Sequence, residues 1–378
     1  MKFIHLSDLH LGKRVHEFSM HDEQKAILEQ ILAVIDAEKP DGVLIAGDIY
    51  DKSVPPAEAV LLFDDFLFRL ASRRLQIFII SGNHDSPERI AFGARMMEGA
   101  GIHLSPVYDG NITPFSMTDE HGTVNVYMLP FIKPSHVRRY FGDEDIVTYT
   151  DAVRVAIKHM NVDPSERNIL VVHQFVTGAS RSDSEEISVG GSDNVNASVF
   201  EGFDYVALGH IHSPQICGAA HIRYCGTPLK YSFSEMHDVK SLSVVEIRDG
   251  DPVIRAIPLT PIHDMSEIRG PFEKITDPSY YTNNPQREHY LRVVLTDEDD
   301  IPDAVGRLRM IYKNLMNLEY DNTRTRKNNV VSGATATETK SAFALFSEFY
   351  ELRNNMPMSP EQSEYMCQLI EEIEEEQI

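Results

Sequence analysis

Cysteine is scarce in this chain, cations are outnumbered, and no apolar run is long. The three cysteines of the 378 residues, Cys217, Cys225 and Cys367, form no CxxC pair and no even-numbered framework. A disulfide-stapled scaffold is thereby excluded, and a reducing, cytoplasmic setting is expected. Lysine and arginine number 35 against 58 aspartates and glutamates, a formal net charge of −23. Such a chain does not coat nucleic acid by bulk electrostatics. A nuclease is not excluded, because carboxylates that hold divalent cations are themselves acidic. Part of the excess is local: Glu361 to Ile378 contain seven glutamates and no Lys or Arg. No window approaches the length of a membrane span, and the opening MKFIHLSDLHLG reaches Asp8 and His10 before a signal-peptide core can develop.

What is present is a globular balance, 42% hydrophobic and 25% charged, in a chain long enough for one large domain and an accessory unit or two. Apolar runs of strand length alternate with helical periodicity, the pattern of a layered α/β domain. KFIHLS reads as a strand, Asp22 to Lys39 as a helix, GVLIAG as the next strand and AEAVLLFDDFLFRLA as the next helix. The strand LQIFIIS and a helix from Pro87 to about Gly99 follow. Later strands at TVNVYML, NILVVHQ, DYVALGH, SLSVVEI and PVIRAIPL arrive without long helices between them, which predicts a second sheet packed on the first. Residues 276–288 and 321–340 are turn-rich and apolar-poor and read as linkers. Between them a small unit carries a strand at HYLRVVL, a helix from Ile301 to Tyr312 and a short strand at LMNLEY. The expected domains are 1–262, 263–325 and 326–378.

Five short pieces put metal-ligand side chains directly behind a strand: SDLH (Asp8, His10), AGDIYD (Asp48, Asp51), SGNHD (Asn83, His84, Asp85), VVHQ (His173) and LGHIH (His210, His212). Strand ends at one edge of a sheet converge, and crevices there hold ligands in α/β folds. The donor set is carboxylates, an amide and imidazoles, which suits manganese, iron or zinc better than calcium. The candidates exceed one ion. Asp8, His10, Asp48 and His212 are assigned to a first, and Asp48, Asn83, His173 and His210 to a second, with Asp48 shared. Two ions about 3.5–4 Å apart can share a hydroxide and clamp a phosphate. His84 is then free to face the phosphate and help protonate the leaving oxygen, with Asp85 orienting its ring. Asp51 is read as fixing the loop around Asp48, His16 and His21 as solvated, and His5 and His103 as structural.

The series D-x-H, GD-x-x-D, GNHD, H, GH-x-H resembles that of the calcineurin-like metallophosphoesterases. The longer strings HLSDLHLGK, GDIYDKSVPPAEAV, SGNHDSPERIAFG, HQFVTGA and RYCGTPLKYSF are similar to the branch that serves as nuclease subunits in bacterial DNA-processing complexes. The resemblance is strong from Met1 to about Pro261. It implies a two-sheet sandwich flanked by helices, with a small α+β capping domain and a C-terminal helical pair. It also implies a manganese-dependent nuclease that degrades double-stranded DNA ends and cuts single strands, with two Mn²⁺ as cofactors. The partners implied are DNA, a long coiled-coil ATPase, and a second copy of the chain in a two-plus-two assembly.

Three functions compete at this level. A small-molecule phosphatase or cyclic-nucleotide phosphodiesterase would need only the core, and a scaffold would have lost a ligand. The extra unit from about His263 to Tyr320 favours the nuclease, while the basic trio Arg324, Arg326 and Lys327 is read as a solvated loop ahead of a phosphate contact. AEAVLLFDDFLFRLA is apolar round more than one face, as a helix buried on two sides requires, and fits a homodimer contact. In the tail, Ala342, Leu345, Phe346, Phe349 and Leu352 form one helical stripe, and Tyr365, Met366, Leu369, Ile370 and Ile373 a second. Apolar stripes rimmed by charge mark a partner site, here the base of the ATPase coiled coil.

Overall fold

The computed structural model describes residues 1–185, 193–248, 250–323, 325, 343, 346–347, 350 and 357–376. The basic trio and most of the first expected stripe of the tail, Ala342, Leu345, Phe349 and Leu352, lie outside the described residues.

Strands β1 (Lys2–Leu6), β2 (Gly42–Ala46), β3 (Gln76–Ile80) and β4 (Ile102–Leu104) pair in parallel in chain order. Their residues alternate between two buried faces. Ile4, Leu6, Val43, Ile45, Ile77 and Ile79 point outward to the helices α1 (His21–Glu38) and α2 (Ala57–Ala71), meeting Ile27, Ile31, Ile35, Phe63, Phe66 and Leu70. Phe3, Leu44, Ala46, Phe78 and Ile80 point inward. The helix expected from Pro87 breaks into α3 (Pro87–Ile90) and α4 (Ala94–Met97), because Gly93 between them takes a left-handed conformation at φ 75°.

The second sheet contains β5 (Phe115–Asp119), β6 (Gly122–Leu129), β7 (Arg167–His173), β8 (Tyr205–Gly209), β9 (Gln215–Cys217) and β10 (Ala219–Tyr224), in the order β9-β10-β8-β7-β6-β5. Val124, Val126, Ile169, Val171, Tyr205 and Ala207 close the layer between the sheets. Each large aliphatic side chain fully buried there stabilises the sandwich by about 1.5–3 kcal/mol. Contrary to expectation, a helix does separate two of these strands. α5 (Tyr149–Lys158) starts on a capping box of Thr148 and Asp151 and covers the outer face with Ala152, Val153, Val155 and Ala156.

The last two strands, β11 (Ser241–Glu246) and β12 (Val253–Pro258), were expected in the second sheet. They instead return to the first, β11 pairing antiparallel with β1 and β12 with β11. Ile247 N donating to the Met1 carbonyl extends that ladder.

Beyond them β13 (Met265–Gly270), β14 (Tyr290–Leu295) and β15 (Leu315–Tyr320) form a parallel sheet, with α6 (Ala304–Arg309) in the second crossover. Its core is Ile268, Phe272, Ile275, Leu291, Val293, Leu308 and Tyr312. β13 was not anticipated, and the stretch read as a linker folds into single turns started by Asp277 and Asn284, each accepting a backbone amide two residues on. This unit is tied to the sandwich by the buried Glu23 of α1, which accepts from the amides of Ile262 and His263, and by Lys230 paired with Asp264 at 2.8 Å. The C-terminal helix α7 (Pro360–Glu376) spans the segment of the second expected stripe, and none of residues 360–370 is buried. Among the described residues no helix is long and apolar enough to cross a membrane.

Candidate metal centre

The five chemistry-bearing pieces stand at or just beyond the carboxyl ends of β1, β2, β3, β7 and β8, His173 being the last residue of β7, and the two sheets bring those ends together. The turns after β1 and β2 are laced by backbone bonds, Asp8 N to Gly47 O at 3.0 Å and His10 N to Asp48 O at 3.0 Å. Asp8, His10, Asp48 and His210 all have positive φ, 53°, 44°, 49° and 106°. Non-glycine residues hold such conformations only where their surroundings over-determine them. Two glycines permit the crowding. A Cβ on Gly82 would stand 2.1 Å from Asp48 Oδ1, and one on Gly209 would stand 1.8 Å from the Ala46 carbonyl oxygen.

The side chains assigned to the first ion meet closely. His10 Nε2 lies 3.1 Å from His212 Nε2, and candidate donor atoms of Asp8, His10 and His212 are all within 4.8 Å of one another. Those assigned to the second gather on Asn83 Oδ1, which is 2.9 Å from His173 Nε2 and 2.8 Å from His210 Nδ1. Asp48 Oδ2 stands between the groups, 3.3 Å from His173 Nε2 and 3.7 Å from His10 Nε2. Asp8 accepts the backbone amide of His210 at 3.1 Å and so joins the sheets.

These contacts fit divalent cations. His173 Nδ1 lies 2.8 Å from the Ala46 carbonyl, which only accepts, so Nδ1 carries a hydrogen. A neutral His173 then turns a bare Nε2 toward the Asn83 and Asp48 oxygens, a cluster of lone pairs that a cation satisfies and that otherwise requires an extra proton. Burial alone would lower the His173 pKa, yet the Asp48 charge overrides it and raises it to about 9. His10, His210 and His212 are instead held below their usual range by burial, His210 at about 3. Burial raises Asp8 to about 7. Burial opposes ionisation of Asp48 too, but the imidazoles of His173 and His84 hold it well below the carboxylate range. Neutral imidazoles and an ionised central carboxylate are the forms that bind metal.

His84 differs from these side chains. Its side chain is 12% exposed, against 0% for His10 and His173 and 2% for His212 and Asp48. Its Nδ1 lies 3.1 Å from the carbonyl of Asp51, and its Nε2 is 3.9 Å from Asp48 Oδ2. The role expected for Asp85 changes here. Its carboxylate accepts the amides of Ile49, Tyr50 and Gly82 at 3.0–3.1 Å, so it knits the second and third loops together, while the Asp51 carbonyl contacts the His84 ring. Asp51 is clamped by Lys13 at 2.7 Å, in keeping with the loop-fixing role expected of it. His5 Nδ1 meets Tyr205 Oη at 2.8 Å, and His103 Nε2 meets Gln76 Oε1 at 2.8 Å; both are structural.

Several contributors escaped sequence reasoning. Tyr231 donates to the Leu9 carbonyl at 2.6 Å with its ring against His10, and Ser184, Glu185, Glu235 and Lys240 surround His212. Only Tyr231 lay in a string that carried a resemblance.

A sandwich in which both sheets send carboxylate, amide and imidazole donors to one edge defines a metal-dependent phosphoesterase. Residues 1–214 match the family described as calcineurin-like phosphoesterase, and residues 261–354 the one described as type 5 capsule protein repressor C-terminal domain. The chain is 33% identical over 323 residues to the SbcD subunit of the SbcCD nuclease of Staphylococcus epidermidis, a match spanning 84% of this chain and 85% of that one. It belongs to the SbcD family of calcineurin-like phosphoesterases. Among solved structures it is similar to a dimetal phosphatase from Danio rerio, with 11% identity, 68% of this chain and 96% of that chain covered, and a TM-score of 0.40. A Thermus thermophilus protein covers 68% of this chain and 98% of its own at 11% identity and a TM-score of 0.37.

Proposed function

We propose that this chain is the nuclease subunit of an SbcCD-type complex, a double-strand exonuclease and single-strand endonuclease that hydrolyses DNA phosphodiesters with two Mn²⁺ and acts with an SbcC ATPase in DNA end processing, repair and recombination. The observation that carries the chemistry is the convergence of six donor residues from both sheets around a seventh, Asp48. The likeness over five-sixths of the chain to an SbcCD nuclease subunit carries the substrate and the partner.

Asp8, His10, Asp48 and His212 would hold one cation, and Asp48, Asn83, His173 and His210 the other. Bound there, the pair would supply an activated water and neutralise charge on the phosphate. His84, at the mouth of the site, faces the phosphate and steadies the leaving oxygen, its Nδ1–H directed to the Asp51 carbonyl. Asp85 positions the two loops that carry Asp48 and His84.

Residues 1–262 form the catalytic unit, 263–325 cap the site edge, and 326–378 carry the partner segment. Two copies pair through α2 and the α3–α4 turn, where Leu61, Phe68, Phe92 and Met96 are 69–88% exposed, a continuation of the apolar character read in α2. Cys217 and Cys225 are buried free thiols and Cys367 an exposed one, as suits the cytoplasm.

The test offers supercoiled plasmid, linear duplex and a p-nitrophenyl phosphate ester side by side with Mn²⁺, with and without chelator. Chelator-sensitive degradation of linear duplex is expected. Turnover of the small ester with intact DNA would overturn the reading.

A further inference from the structure

The surroundings of His212 form a closed polar circuit that the chemistry above leaves unused. Glu235 and Lys240 have side chains 0% and 2% exposed and pair at 2.6 Å. Lys240 Nζ also donates to the His212 carbonyl at 2.9 Å. Glu235 Oε1 accepts from Ser184 Oγ at 2.5 Å and from Ser232 Oγ at 2.9 Å. Ser184 Oγ lies 2.5 Å from His212 Nδ1, and the His212 amide donates to Glu185 Oε1 at 2.6 Å. A buried ion pair costs desolvation that its attraction barely offsets, so stability alone is a poor reason to keep one. Fixing a neighbour is a better one.

The direction of each hydrogen follows from charge. An ammonium 2.6 Å away makes Glu235 a carboxylate, and a carboxylate only accepts. The single O–H of Ser184 therefore points to Glu235, one of its two lone pairs is met by the Ser182 hydroxyl at 2.8 Å, and the other calls for an N–H donor. His212 Nδ1 supplies it, so the lone pair of the ring sits on Nε2, the atom 3.1 Å from His10 Nε2. The opposite tautomer would set two lone pairs against each other at Ser184 and would place a hydrogen where a metal ligand must be bare.

We propose that Glu235 is a positioning residue: acting through the Ser184 hydroxyl, it fixes His212 as the Nδ1–H tautomer and thereby sets the affinity of the first divalent-cation position, shared with Asp8 and His10. The proposal rests on the two-cation reading of the site. Partners at this remove commonly control metal affinity by about 10–100-fold.

The test uses the full-length chain, stripped of metal and titrated with Mn²⁺ by calorimetry. Ser184→Ala breaks the relay and leaves the Glu235–Lys240 pair whole. One of the two sites is expected to weaken about 10–100-fold with the other unchanged, and Ser184→Thr to restore it. Ser116→Ala on β5, which removes a hydroxyl that donates to Asn125 Oδ1 at 2.7 Å away from this circuit, is expected to bind as wild type. Imidazole ¹⁵N spectra of the metal-free protein should show His212 protonated at Nδ1 in wild type and lose that form in Ser184→Ala. Unchanged binding in Ser184→Ala, an Nε2-protonated wild type, or equal weakening in Ser116→Ala would each overturn the proposal. A wild-type chain that takes up fewer than two ions would instead show that the underlying site reading had failed.

Discussion

Replacing Gly209 with alanine should disable the site with every donor residue still present. Gly209 ends β8, and a Cβ there would lie 1.8 Å from the Ala46 carbonyl oxygen at the end of β2 and 2.7 Å from His173 Nδ1. Ordinary contact begins at 3.4 Å, so the two sheets must separate locally by 1.6 Å, the difference between 3.4 and 1.8 Å. Both atoms it strikes are fixed: one is backbone, and the other is the ring nitrogen hydrogen-bonded to that same carbonyl. Overpacking of this kind costs about 1–3 kcal/mol, and with no flexible side chain to yield, the upper end is expected. At about 2–4 °C per kcal/mol for a domain of this size, a loss of about 3 kcal/mol lowers the melting temperature by about 6–12 °C. Displacing His173 by over an ångström should also cost on the order of 10²-fold in turnover. Thermal unfolding and Mn²⁺-dependent duplex degradation measure the two effects, with Gly99→Ala as control, since a Cβ there meets nothing within 4 Å. A Gly209→Ala protein that melts and cleaves like wild type would refute the geometry of the inter-sheet contact.

Other outcomes follow from the same site. Asp48→Ala should lose both ions by metal analysis and all cleavage, since Asp48 lies between the two donor groups; a fully active variant would sink the bridging role. His84→Gln should keep two ions and DNA binding while cleaving about 10²–10⁴-fold more slowly, and loss of an ion would make His84 a ligand. A chain ending near Lys340 should stay folded and keep Mn²⁺-dependent nuclease activity but no longer co-purify with SbcC, and Phe346→Glu alone should weaken that complex. Undiminished SbcC binding by the shortened chain, or its unfolding, would remove the tail from the interface or return it to the core.

The donors were legible because each stands behind a run of buried β residues, and that periodicity places them at strand ends whatever the rest of the chain does. The strand positions were legible for the same reason. The sheet to which β11 and β12 belong was not, since alternation along a strand does not name its neighbour; pairing with β1 is decided by how the chain travels. α5 could have been found from Thr148 and Asp151, three residues apart as a capping box requires. Asp85 was misjudged because adjacency to His84 suggested contact, whereas its three donors come from the adjacent loop and from its own turn. The circuit around His212 left no trace in spacing: Ser184, Glu235 and Lys240 are polar residues on separate segments that only tertiary packing brings together.

The proposed donors are divided between the layers, Asp8, His10, Asp48 and Asn83 from one sheet and His173, His210 and His212 from the other, which would make bound cations a rivet as well as a reagent. Neither sheet holds a complete set, so ions held there would bind the assembled sandwich and not the separated layers. Mass action then makes the fold's stability a function of metal supply, by about 2.7 kcal/mol for each site whose ion stands at about a hundred times its dissociation constant. A cell short of the metal would hold a population of this protein that is both inactive and easier to unfold, and so easier to degrade.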